Sequence, residues 1–334
     1  MASRAQDLLA ATLISAHIPV VSKVYMITSN STDSFGSYWK DEFNADEWFS
    51  GSTAFSSVNF KKASTGRHET FIVGPQNFTL GSCVTFDCPY VHIVGAYQGA
   101  RMKQRTRIGH NANFSPLIVF ASSNSVMSNT HWMYGRTGGA TTNYSAMVLS
   151  GNRNSFFNNH WGGPYGSSEG DSTGFALVQL TGANENYFYQ CTFGDDTVPR
   201  SAANQLLDFS SVGNGNGKNI WENCLFISKI DSSAAFMIRA MDQYAVHGIN
   251  LFKNCDFIAR ADSNAKTMEE LIESSAALAT NGYLCFDGNC MMYGVDAITD
   301  SSGAAGVFWG CNAQSSGSTD NNAFLGKALN PTTA

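Results

Sequence analysis

The stretch Asn186-YFYQCTF, residues 186–193, is one copy of a recurring frame. The same eight positions read NSFFNNHW from Asn154, NIWENCLF from Asn219 and NLFKNCDF from Asn250, so successive starts lie 32, 33 and 31 residues apart. A looser copy, SVMSNTHW, begins at Ser125. Each copy follows an apolar run: LIVFAS (117–122), AMVLSG (146–151), ALVQLTG (176–182), QLLDFSS (205–211) and AFMIRA (235–240). Self-similarity at a fixed period of this length is the mark of a solenoid, in which each repeat buries its apolar face against its neighbours. The unit reads as strand, turn, strand, turn, then a variable loop rich in Gly, Ser and Asn.

Stacking the copies produces columns. The third position carries Met127, Phe156, Phe188, Trp221 and Phe252, and the eighth Trp132, Trp161, Phe193, Phe226 and Phe257, two apolar columns suited to a core. The fifth carries Asn129, Asn158, Gln190, Asn223 and Asn254. Asparagine tolerates the left-handed conformation of a sharp bend, and stacked amides bond from rung to rung. The sixth carries Thr130, Asn159, Cys191, Cys224 and Cys255, which makes these cysteines core residues; buried cysteine behaves as a small hydrophobe. They are expected to be free thiols. The expectation is an all-β, right-handed parallel β-helix solenoid. The period exceeds the roughly 20–25 residues of a bare three-strand rung, given strands of about five residues. The excess falls in loop insertions on one face: Gly162–Thr173, Gly194–Asn204 and Asp256–Thr267. TMEELIESSAALA (267–279) reads as a short helix there, with Thr267 as N-cap and Glu269 and Glu270 in its first turn.

Composition agrees. The 334 residues are 43% hydrophobic and only 14% charged, against a usual share of about 25% charged. That excludes a helical bundle with charged outer faces. The formal net charge is −6, and the densest basic stretch is Arg101, Lys103, Arg105 and Arg107, too sparse to follow a phosphate backbone. No nucleic-acid partner, membrane partner, cofactor or metal is expected. The apolar stretch LLAATLISAHIPVV (8–21) is too short to span a bilayer and reads as a short N-terminal helix with Leu8, Leu9 and Leu13 on one side. Three parts follow: an N-terminal docking or capping segment (1–22), the β-helix (23–312) and a C-terminal tail (313–334).

KVYMITSNSTDSFGSYWKDEF (23–43), HETFIVGPQNFTL (68–80) and CVTFDCPYVHIVGAYQGARMKQRTRIGH (83–110) resemble the opening strands and first two rungs of the pectate-lyase-like β-helix superfamily, which includes the β-helices of tailed-phage virions. Gln76 stands where that family usually has Gly. The resemblance implies the fold over about 23–312 and leaves activity open, because one fold hosts many functions.

Gly194-Asp195-Asp196 resembles the paired-aspartate element of polygalacturonases, inverting glycosidases that need two carboxyls with a water between them. His247-Gly248 resembles a later element of that family, but 51 residues separate Asp196 from His247 and the remaining elements are missing. A wider carboxylate set, Glu169, Asp171, Asp195, Asp196 and Asp208, could serve a glycan-cutting tailspike if one pKa were raised. His131 and His160 share the seventh position and should stack on the outer surface. A calcium-dependent lyase would need clustered aspartates with a catalytic arginine, and Arg239 with Asp242 is the nearest pairing.

The leading functional expectation is a non-enzymatic virion protein of a tailed phage, a capsid-surface decoration or appendage assembled in the host cytoplasm. It would dock to a capsid or other virion protein through the N-terminal segment. The resemblance adds homotrimer formation. The alternatives are a tailspike-type polysaccharide depolymerase, glycosidase or lyase, and a module binding host-surface glycan through Trp39, Trp48 and Tyr165.

Overall fold

The computed structural model describes residues 23–28, 47–50, 69–74, 77–96, 106–110, 115–135, 145–163, 165, 174–210, 215–241, 244–262, 267–274, 282–287, 289–299, 307–309 and 314–316. The docking residues Leu8, Leu9 and Leu13, with Trp39, Glu169, Asp171 and Cys311, lie outside them.

Three sheets form among the described residues, with 11, 9 and 8 strands, and every pairing is parallel. We call them sheets A, B and C in that order. The chain visits A, B and C in turn and then begins again one rung further along. One turn runs Ser155–Phe157, His160–Gly162, Ala176–Thr181; the next runs Tyr187–Tyr189, Thr192–Phe193, Gln205–Ser210. This is a parallel β-helix, an all-β solenoid.

Register is set by the repeated frame. Phe156 pairs with Phe188, Phe188 with Trp221, Trp221 with Phe252 and Phe252 with Phe286. All are buried, and the rings stack at centroid distances of 4.6, 5.2, 4.6 and 4.7 Å, with interplanar angles no greater than 11°. A second stack from sheet B, Trp161, Phe193, Phe226 and Phe257, meets the first edge-on; Phe188 and Phe193 lie 5.9 Å apart at 61°. Parallel strands about 4.8 Å apart impose this spacing, so identical ring orientations repeat along the axis.

The passage from A to B is the tightest corner. Asn129 (φ 57), Asn158 (φ 52), Gln190 (φ 52), Asn223 (φ 54) and Asn254 (φ 52) all adopt the left-handed conformation there. The amide of Asn158 donates to that of Asn129 at 2.9 Å. The adjoining position holds buried Cys191, Cys224, Cys255 and Cys290, whose thiols donate to the carbonyls of Phe156, Phe188, Trp221 and Phe252 at 3.3–3.5 Å. The seven described cysteines are free. Burial pushes the Cys224 thiol well above its usual range and Cys290 up to about 12.

A second asparagine column sits at the corner from C to A. Asn154, Asn186, Asn219 and Asn250 are 0–1% exposed. The Asn219 Oδ1 accepts from the Asn186 backbone N–H and from Asn186 Nδ2, both at 3.0 Å. Its Nδ2 donates to the Ala183 carbonyl and to Asn250 Oδ1, both at 2.9 Å. These amides satisfy backbone groups that a strandless corner would leave buried without partners.

Two sequence readings are corrected here. Within 267–279, read from sequence as a short helix, Met268–Ser274 is a strand of sheet C, lying between Ile238–Ala240 and Val295–Thr299. Neighbouring rungs satisfy its backbone on both sides, which overrides helical propensity. Asp256–Ala261, read as part of a loop, is a strand of sheet B. The solenoid also continues past residue 312: Gln314–Ser316 pairs with Met291–Tyr293.

Asn219→Ala removes all four amide bonds in a buried corner. It is expected to lower unfolding free energy by about 2–4 kcal/mol, read from urea denaturation.

Candidate functional site

Two polar clusters stand out on the outside of the solenoid. The first fills the corner from B to C. His131 pairs with His160 across adjacent rungs, and their rings stack at 4.1 Å and 11°. They stack as the sequence suggested but not on the open surface: they are 6% and 3% exposed. The Tyr165 hydroxyl lies 3.4 Å from His131 Nε2. Tyr165, read from sequence as a surface ring for sugars, is turned inward. Its phenol is raised well above the usual range, by burial first and then by the Asp195 carboxylate. The Nε2 of His160 lies 2.8 Å from the Gly194 carbonyl, which can only accept, so that nitrogen carries the proton.

Asp195 belongs to this cluster and is 6% exposed. Its carboxylate accepts from the backbone N–H of Gly163 and of Thr197, each at 2.8 Å. Arg200, 1% exposed, donates to Asn204 Oδ1 at 2.8 Å and to the Gly163 carbonyl at 3.3 Å. Burial brings its pKa down to about 10, opposed by the nearby Asp195 charge. Gly194 (φ +87) starts the loop; a Cβ there would lie 2.0 Å from the Ile227 carbonyl. Asp195 is thus the anchor that ties one corner loop to the next. Asp196 points elsewhere, to Arg260 at 3.1 Å on the surface. His247 lies at a different corner, before sheet A, so the polygalacturonase-like elements are not brought together.

The second cluster runs along the outer face of sheet C. Val119 and Val148 are followed in register by Gln179, Asp208, Arg239 and Glu273. Gln179 donates to Asp208 at 3.0 Å, and Arg239 donates to Glu273 at 2.8 Å. Asp208 is 8% exposed, and burial raises its pKa more than Gln179 and Arg239 lower it. Sequence reasoning named Asp208 but missed its partners. The signal was present: each polar residue occupies the same slot of consecutive apolar strands, in VQL, LDF and IRA. Arg200 was missed because an arginine inside a loop carries no mark of burial. Arg239 was considered with Asp242, which lies outside the described residues; its partner among them is Glu273.

No described group of three or more His, Cys, Asp or Glu side chains is arranged to hold a metal ion. No helix among the described residues is long and apolar enough to cross a membrane.

The rungs, ladders and three-sheet circuit define a parallel β-helix. A pectin methylesterase solved in complex with a hexasaccharide has this fold: it matches with a TM-score of 0.52 and 11% identity, covering 94% of this chain and 95% of that one. A pectate lyase matches at 0.46 and 12% identity, over 93% and 82%. A Geobacillus virus protein matches at 0.39 and 10% identity, over 92% and 64%. No protein-family model and no curated protein matches the sequence. At 11% identity the likeness to the pectin methylesterase is one of fold.

Two outcomes test this description. Arg200→Met removes the buried hydrogen bonds to Asn204 Oδ1 and the Gly163 carbonyl and should cost about 1–3 kcal/mol, seen as a lowered Tm. For Asp208 the folded pKa is raised, so its ionisation weakens the fold: stability is full below the usual carboxylate range and falls as pH climbs through the raised value. Asp208→Asn should therefore raise Tm at about pH 8 and give no gain near pH 3.

Proposed function

We propose that this protein is a non-enzymatic structural component of a tailed-phage virion, a decoration or appendage on the capsid surface. The observation that carries the reading is where the candidate carboxylates point. Asp195 holds two backbone N–H groups, Asp196 pairs with Arg260, and Asp208 accepts from Gln179. Each is engaged in fastening one part of the solenoid to another. The stacked rings, amides and thiols tie rung to rung in the same way, which suits a rigid surface element. The N-terminal segment with Leu8, Leu9 and Leu13 is the proposed attachment to a capsid or other virion protein, as a helix in a groove. Self-association into a trimer belongs to the same proposal.

A second reading is a glycan-cleaving enzyme acting at sheet C. One observation favours it: a buried carboxyl of raised pKa stands in register between an amide and a guanidinium on one outer face. Such a group can serve as a general acid.

Mass spectrometry of purified particles separates the two. The structural reading expects the polypeptide in virions at a copy number comparable with the capsid protein. Particles that lack it, together with oligosaccharide release from host-surface glycan that disappears in Asp208→Asn, would establish the enzyme instead.

A further inference from the structure

The outer face of sheet A carries a group of partly exposed aromatic side chains. Phe157, Tyr187 and Tyr189 point away from the core, whose facing positions are already filled by Phe156 and Phe188. Phe157 lies in register with Tyr189. The Tyr187 and Tyr189 ring centroids are 6.1 Å apart at 25°, and Phe157 stands edge-on to both at 6.0 and 6.5 Å. All three are partly exposed. The next rungs add Glu222 and Lys253, in register after Tyr189. Tyr187 donates its hydroxyl to Glu222 at 2.8 Å, and Lys253 pairs with the other Glu222 oxygen at 3.1 Å.

We propose that this face binds an uncharged saccharide, with Phe157, Tyr187 and Tyr189 as the stacking surface and Glu222 and Lys253 as the polar edge. The electrostatics select the ligand class. Glu222 and Lys253 neutralise each other and Asp287, in register after Lys253, adds a negative charge, so the face has no positive excess to attract an acidic glycan or a polynucleotide. An apolar protein surface would strip water from the Tyr187 hydroxyl and the ion pair without replacing it, which is costly. A neutral sugar meets both halves: its C–H faces lie on the rings, and its hydroxyls replace water around the carboxylate and ammonium. The site is on a different sheet from Asp208 and does not rest on the virion reading.

The test is an array of neutral gluco-, manno- and galacto-oligosaccharides, with oligogalacturonate as the charged comparison, probed with the full chain. At least one neutral oligosaccharide should bind, and Tyr187→Ala/Tyr189→Ala should weaken it by about tenfold or more, given the usual worth of ring contacts. Tyr187→Phe/Tyr189→Phe keeps the rings and should retain much of the binding. Circular dichroism confirms that both variants fold. The proposal is overturned if no neutral oligosaccharide binds, if only the charged glycan binds, or if binding survives loss of both rings. It is also overturned if light scattering shows that the alanine variant dissociates an oligomer, because the face is then a contact between copies of the chain.

Discussion

The hydrogen bond from one rung to the next is the constraint on which this molecule depends. A solenoid of parallel strands has three corners per turn, and at each the chain leaves a sheet and loses its ladder. Buried backbone groups at those points need other partners. Asn154, Asn186, Asn219 and Asn250 supply them, each side chain bonding to the preceding rung, and those of Asn186 and Asn219 to the following one as well. The thiols of Cys191, Cys224 and Cys255 do the same more weakly at the next corner. With the corners satisfied, the aromatic stacks can run uninterrupted along the interior.

Much of this was legible in the sequence, because a solenoid writes its third dimension as a period. Once the frames beginning at Asn154, Asn186, Asn219 and Asn250 are aligned, the Phe156–Phe188–Trp221–Phe252 column follows by counting. The left-handed bend at Asn158, Gln190, Asn223 and Asn254 follows from residue chemistry. The buried role of Asn219 was harder to see, since an asparagine that opens a strand also looks like an ordinary turn residue. The strand at Met268–Ser274 was misread because helical propensity is local, whereas strand pairing depends on rungs about 30 residues away in either direction. The same distance hid the burial of His131 and His160, whose neighbours Tyr165 and the Gly194 carbonyl come from segments 34 residues further along the chain.

The candidate site shows a similar division. Asp195 and Asp196 drew notice as a pair of adjacent carboxylates, yet adjacency in the chain sent them to different partners. Gln179, Asp208, Arg239 and Glu273 are separated by whole turns and converge only when the solenoid is wound. Fixed register makes the outer face of a sheet a place where residues from distant segments stand side by side at one spacing.

The positive-φ glycine at residue 194 and the buried Asp195–Arg200 arrangement close the corner from B to C without fixing how much chain lies beyond it. The A-to-B corner in the rungs from Ser155 to Ala261 has no such freedom: one added residue between Phe188 and Phe193 would throw the side chains of the sheet B strand that follows onto the wrong face. Length variation in those rungs is therefore channelled away from that corner, and the chain can be remodelled elsewhere while the molecule keeps its thread.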